Sequence, residues 1–322
     1  MQSSSELFPV ALISAELRGD LSEDVYRLKP GNSPDFSVEL ALTRLGLAAE
    51  ESRGVPVILL HGSFSNRRFW YSPRGIGLGP HLARAGFDVW IAEMRGHGLS
   101  PRNHGYSHNT VADYARYDLP AIAAFVREQS GQVPHWVGHS LGGITLAAAL
   151  GGHYLGEEEV ASAALFGSQI SRIYWPLKVP PVEWGSRLLL KGFRHVSGAR
   201  LKRGPEDEPI GLVRESLRWH RLFGRFGDKQ RDWWAGMAEV RMPVLAVSAA
   251  GDMQDPTWSC RKLHEQFASA PRAFLELSKK QGFSSDYGHV EMLVSKQAQA
   301  EVWPLVEHWL REAQLPPHLQ PA

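Results

Sequence analysis

A serine held between two glycines, Gly138-His139-Ser140-Leu141-Gly142, constrains this chain more than any other stretch. It follows the run Pro134-His135-Trp136-Val137 and leads into the small-residue series Gly142, Gly143, Ile144, Leu146, Ala147 and Ala148. That pattern predicts a strand, a sharp turn and a helix. A residue at the tip of so tight a turn takes strained backbone angles and leaves no room for neighbouring Cβ atoms, so glycine flanks it. The turn would lift the Ser140 hydroxyl above the sheet edge, at the N-terminus of a helix whose free N–H groups favour a developing negative charge. Ser140 is therefore the expected nucleophile.

Around this turn, apolar runs alternate with helical spacing. Val55–Leu60 is a continuous apolar run, as in a strand buried on both faces. Helical spacing follows over Leu78–Ala85, a strand over Phe87–Ala92, and a helix over Asp113–Gln129 with Pro120 as its expected kink. Strands are expected at Val160–Phe166, Pro243–Ser248 and Ala273–Leu277, and a closing helix at Glu301–Leu310. Val10 to Leu47 reads as an antiparallel lead-in. Strands alternating with helices mean an α/β chain: a mostly parallel twisted sheet with helices on both faces.

The interval 170–239 breaks the rhythm. It holds Pro176, Pro180, Pro181, Pro205 and Pro209, two expected helices near Gly185–Lys191 and Leu212–Phe223, and no strand that the alternation requires. We read it as an inserted, mainly helical cap, dividing the chain into a core over 1–169, the cap over 170–239 and a second core part over 240–322. The interval carries 14 Lys and Arg against 8 Asp and Glu, although the whole chain is only +1. Five of the 11 tryptophans also lie in it. A helical lid with an aromatic underside explains this, and so does a lid that steers an anionic, lipid-like substrate or touches a phospholipid surface.

The near-neutral net charge argues against a nucleic-acid partner held by overall charge. The single cysteine, Cys260, excludes an intrachain disulfide and fits a reducing compartment. Met1 to Glu6 lacks a basic, apolar leader, and no apolar run reaches the roughly 18 residues of a membrane helix, so the expected location is cytoplasmic.

A serine hydroxyl needs a base within hydrogen-bond reach and a third group to orient that base. The run Pro243–Ser248 ends in Ala249-Ala250-Gly251-Asp252, which delivers Asp252 at the strand's exit, with Asp255 as the alternative acid. After the strand ending at Leu277, a polar loop leads to Gly288-His289-Val290, and His289 is the expected base. His61-Gly62-Ser63-Phe64 follows the run ending at Leu60. The expected oxyanion donors are the Leu141 N–H and the N–H of Ser63 or Phe64, with His61, Gly62 and His139 beside the substrate. His104 and His108 lack a companion carboxylate motif, so no metal is expected. No glycine fingerprint for a dinucleotide is present, and no cofactor is expected.

These residues carry a resemblance. Leu60-His61-Gly62, Leu82 through Trp90, Tyr117 through Ala121 and Gly138-His139-Ser140 resemble the α/β-hydrolase superfamily, and are similar to its lysosomal and gastric acid lipase branch. Arg95-Gly96-His97-Gly98-Leu99-Ser100 is similar to a turn of small bacterial esterases and lysophospholipases, with Glu93 where those carry Asp. The resemblance spans about 55–150, with motif agreement at Asp252 and His289. It implies the α/β-hydrolase fold and a serine hydrolase that cleaves a small-molecule acyl ester, lipid-like or of medium chain. Thioesterase, amidase or acyltransferase chemistry on the same acyl-enzyme stays open, as does a non-catalytic ligand-binding protein on this scaffold.

Overall fold

In the computed structural model, residues 3–50, 53–173 and 175–320 are described. The strands run β1 (Val10–Arg18), β2 (Leu21–Leu28), β3 (Leu40–Leu47), β4 (Pro56–Leu60), β5 (Asp88–Glu93), β6 (His135–His139) and β7 (Ala163–Phe166). A short pair follows, β8 (His195–Ser197) and β9 (Asp207–Pro209), then β10 (Val244–Ala249) and β11 (Arg272–Leu277). All but β8 and β9 share one sheet, in the order β1-β2-β3-β5-β4-β6-β7-β10-β11. The pairings from β5 to β11 are parallel, whereas β1, β2 and β3 form an antiparallel meander joined antiparallel to β5.

The continuous apolar runs have a direct cause. In β4 and β5, Ile58, Leu60 and Trp90 face one packed layer, while Val57, Leu59, Val89 and Ile91 face the other. Helices Leu119–Ser130 and Leu141–Gly151 cover the first face, and Leu78–Arg84 and Lys296–Glu312 cover the second. With both faces dry, a strand has no reason to alternate.

Local differences from the sequence reading have local reasons. Pro120 lies inside an unbroken helical run, Val111–Ser130, where the regular hydrogen-bond ladder is already interrupted by a π-helical turn. That turn, Tyr114–Asp118, precedes Pro120 and aims the buried Asp118 at Arg95 of the Arg-Gly-His-Gly turn. Arg95 Nε donates to Asp118 Oδ2 at 2.9 Å, and Nη2 donates to Oδ1. The closing helix begins earlier than expected, because Ser295 caps it by accepting from the Ala298 N–H at 3.1 Å.

Between β7 and β10 lie the helices Pro180–Leu190 and Ile210–His220 and the β8–β9 hairpin, which the alternation did not call for. The end of this interval packs with the core: Phe226, Trp233 and Met237 are buried in the cluster that holds Ala147, Ala148 and Leu150. None of the described helices is long and apolar enough to cross a membrane.

Candidate active site

The predicted turn is present. Ser140 follows β6 directly with φ 51° and ψ −117°, and the helix Leu141–Gly151 starts at the next residue. A non-glycine residue in that region is strained, and its neighbours hold it there. The Ser140 N–H donates to Phe166 O of β7 at 2.8 Å, and its carbonyl accepts from Ser168 Oγ at 3.1 Å. A Cβ on Gly142 would lie 2.5 Å from Leu60 O and 2.7 Å from His61 O, so only glycine lets the helix start this close to β4.

His289 leaves the loop after β11 and lies over the end of β7, where a Cβ on Gly167 would meet its Nδ1 at 3.2 Å. Its Nδ1 hydrogen-bonds Asp252 Oδ2 at 2.7 Å. An ionised carboxylate can only accept, so Nδ1 carries the proton and Nε2 presents its lone pair. Asp252 leaves β10 after three residues, and its Oδ1 accepts the N–H groups of Gln254 and Asp255, each at 2.9 Å. Burial opposes the Asp252 charge, but the His289 and backbone hydrogen bonds outweigh it and hold the carboxyl below its ordinary value.

Asp255 stands farther away, its Oδ2 at 3.6 Å from His289 Nδ1. Its Oδ1 accepts from Gln169 Nε2 at 2.9 Å, and burial pushes its carboxyl up. Among the described residues, Asp252, Asp255 and His289 are the one group of three possible metal ligands, within 4.8 Å of one another. The His289–Asp252 hydrogen bond accounts for that closeness.

No hydrogen bond joins Ser140 Oγ to His289 Nε2 among the described residues. Gln254 Nε2 lies against that nitrogen instead, at 3.1 Å. Sequence reasoning missed Gln254, because a single amide in a loop belongs to no recurring pattern.

The loop after β4 meets the turn as expected, with two changes. A Cβ on Gly62 would touch Ser140 Cβ at 3.1 Å, so residues 61–63 pass directly beside the nucleophile's turn. The Phe64 N–H, however, donates to Glu208 Oε1 of β9 at 2.6 Å, and Phe64 has φ 59°. That leaves the Ser63 N–H as the donor still expected from this loop. The β8–β9 hairpin that carries Glu208 is also fixed by Asn66 Nδ2 to Glu206 Oε1 at 2.6 Å and by Glu206 N to Phe64 O at 3.1 Å.

His61 is corrected as a substrate contact. It is fully buried; Nε2 accepts from the Met94 N–H at 3.2 Å, and Nδ1 donates to Gly62 O at 2.8 Å. Burial first, and then neighbouring His97, bring its imidazole down to about 3, so it braces the loop as a neutral ring. His139 stacks on Phe69 at 4.5 Å, and its Nε2 donates to the His289 carbonyl at 2.8 Å. It is 3% exposed, so it forms a wall behind His289, and burial lowers its imidazole to about 3. Glu93 keeps the loops together: its Oε1 accepts from the Arg67 N–H and its Oε2 from the Leu99 N–H, each at 3.0 Å.

Sheet order and turn define an α/β-hydrolase-fold protein, similar to lipases and esterases. Residues 55–202 match the family model described as alpha/beta hydrolase fold. Human gastric triacylglycerol lipase is 39% identical over 98 residues, which are 27% of this chain and 24% of that one. The chain thus spans about a quarter of that relative's length. An esterase from Thermogutta terrifontis superposes with a TM-score of 0.56 at 15% identity, over 89% of this chain and 98% of that one. The thioesterase domain from the curacin biosynthetic pathway gives 0.58 at 16% identity, over 88% and 99%.

Proposed function

We propose that this protein is a serine hydrolase of carboxylic esters, acting through an acyl-enzyme on Ser140. The 2.7 Å contact between His289 Nδ1 and Asp252 Oδ2 carries the reading, because it leaves Nε2 as the basic atom of a site that also holds a strained serine. Ser140 Oγ attacks the acyl carbonyl as His289 Nε2 takes its proton. The carbonyl electron pair moves to oxygen, where the N–H groups of Leu141 and Ser63 receive it. As the tetrahedral centre collapses, His289 returns the proton to the departing alkoxide, and Asp252 stabilises the imidazolium in between. Water, activated by the same nitrogen, then releases the acid and restores Ser140.

Lipid-like or medium-chain esters are the proposed substrates, supported by the lipase relatives of the central segment and by the interval 170–239. There, Trp184, Leu188, Leu189, Phe193, Leu222 and Phe223 are exposed, beside Lys178, Lys191, Arg221 and Arg225. Such a surface fits contact with an anionic lipid interface. A cytoplasmic setting belongs to the same proposal, supported by a lone cysteine that is buried with its Sγ–H directed to Asp255 O.

A fluorophosphonate probe tests the chemistry. The wild type should be labelled covalently and Ser140→Ala should not; labelling that survives Ser140→Ala overturns the assignment of the nucleophile. Rates on 4-nitrophenyl esters from acetate to palmitate test the substrate class, and preference for acetate counts against a lipid-like acyl chain. One observation favours a second reading, a ligand-binding protein on this scaffold: the Gln254 amide stands at the nitrogen that should serve Ser140. A folded wild type that resists the probe and binds ester ligands reversibly would establish it.

A further inference from the structure

The amide of Gln254 is held in one orientation from both ends. Its Oε1 accepts from Arg203 Nη1 at 2.5 Å, which turns its Nε2 toward His289, where it donates to Nε2 at 3.1 Å. The proton on His289 Nδ1, required by Asp252, leaves Nε2 able to accept, so the two assignments agree. The Gln254 backbone is pinned separately. Its N–H donates to Asp252 Oδ1 at 2.9 Å, and its carbonyl accepts from Arg172 Nη1 at 2.7 Å. The side chain can therefore leave without moving Asp252.

Arg203 belongs to the turn between β8 and β9, and that hairpin is seated on the loop after β4. Glu208 bonds Phe64 N, Glu206 bonds Asn66, and Gly204 packs so closely that a Cβ would lie 2.1 Å from Phe64 O. Arg102 Nη2 donates to Asp207 Oδ2 at 2.8 Å on the hairpin's other side. Seating the hairpin and holding Gln254 are thus one arrangement.

We propose that Arg203 and Gln254 form a latch that occupies the base nitrogen of His289 while the β8–β9 hairpin is seated, and releases it to Ser140 when the hairpin lifts. The latch rests on the serine-hydrolase reading. It makes Gln254 a positioning residue whose removal speeds the site. It also places control of the nucleophile in an element that carries no part of the reaction. One lone pair on Nε2 cannot accept from the amide and from the serine hydroxyl at once, so the two donors exclude each other.

The test uses the full chain and the second-order rate of fluorophosphonate labelling at Ser140. Gln254→Met keeps the length of the side chain and removes the donor; Arg203→Ala removes the holder. Each should label about three- to tenfold faster than wild type, the range a single net hydrogen bond allows. The double variant should label no faster than the quicker single, as expected when both act through one contact. A merely structural role would slow labelling and lower the melting temperature together. Wild type that labels, with Gln254→Met no faster, overturns the latch and leaves the hydrolase standing. Additive gains in the double variant overturn the link through Arg203. Labelling of Gln254→Met alone would support both proposals, and labelling of neither protein would overturn both.

Discussion

Asp252 and Asp255 stand three residues apart on one loop, and their surroundings separate them. Asp252 accepts His289 Nδ1 at 2.7 Å and two backbone N–H groups, whereas Asp255 is turned toward Gln169. In the proposed mechanism Asp252→Asn should lower kcat/KM on a 4-nitrophenyl ester by about 10³–10⁴, because the amide can favour the wrong imidazole tautomer. Asp255→Asn should lose far less, and equal losses would mean that the two carboxylates share the task. Asp252 was legible because a strand's exit is a fixed place. Ser140 was legible because only glycine can flank so tight a turn. Gln254 and Glu208 were not, since their partners lie 35 and 144 positions away and no local spacing announces such contacts.

Among the elements, the β8–β9 hairpin departs most from what periodicity can forecast. Three residues per strand give no alternation to read, and the pairing of Val196 with Glu208 is held from outside by the loop it covers. The longer elements were readable because each repeats its reason: β4 and β5 are apolar throughout since both their faces are packed. Gly204→Ala tests the seating of the hairpin. Its Cβ would lie 2.1 Å from a carbonyl oxygen, a clash costing about 1–3 kcal/mol. Trypsin cleavage after the exposed Lys202 or Arg203 should then accelerate about tenfold for each 1.4 kcal/mol of lost seating. The urea midpoint of the whole chain should stay in place. An unchanged cleavage rate would mean that the hairpin holds without that close approach.

Across the whole molecule, burial lowers the imidazoles of five described histidines, His61, His81, His135, His139 and His264. His61 and His139 are brought down to about 3, and His135 and His264 to about 4. In the unfolded chain an imidazole titrates near 6.5, so the stability these rings contribute is complete above that pH. It is lost as acidification proceeds toward 4 and then 3. Buried carboxyls act in the opposite direction: burial raises Glu93, Asp118 and Asp255 and pushes Glu215 up to about 7, so the folded state takes those protons more readily than the unfolded chain. Imidazoles and carboxyls oppose each other, and the imidazoles, with folded values as low as about 3, act over the wider range of pH. The urea midpoint should therefore fall steadily from pH 7 to pH 4. A midpoint that stays flat over that range would mean that the rings accept protons without unfolding.

Ser140, Asp252 and the loop that carries His289 leave β6, β10 and β11, and β7 stands between the first two. Phe166 is in register with His139 on one side and Val247 on the other, and Val247 in turn with Leu275. Register is a whole-number quantity: a slip of one residue moves an exit by about 3.3 Å and turns every side chain to the opposite layer. There is no half-aligned form in which the three groups could still meet. On dilution from urea, the proposed ester turnover should return only with the slowest refolding phase, after circular dichroism has already recovered, which makes it the stricter witness that the chain has finished folding.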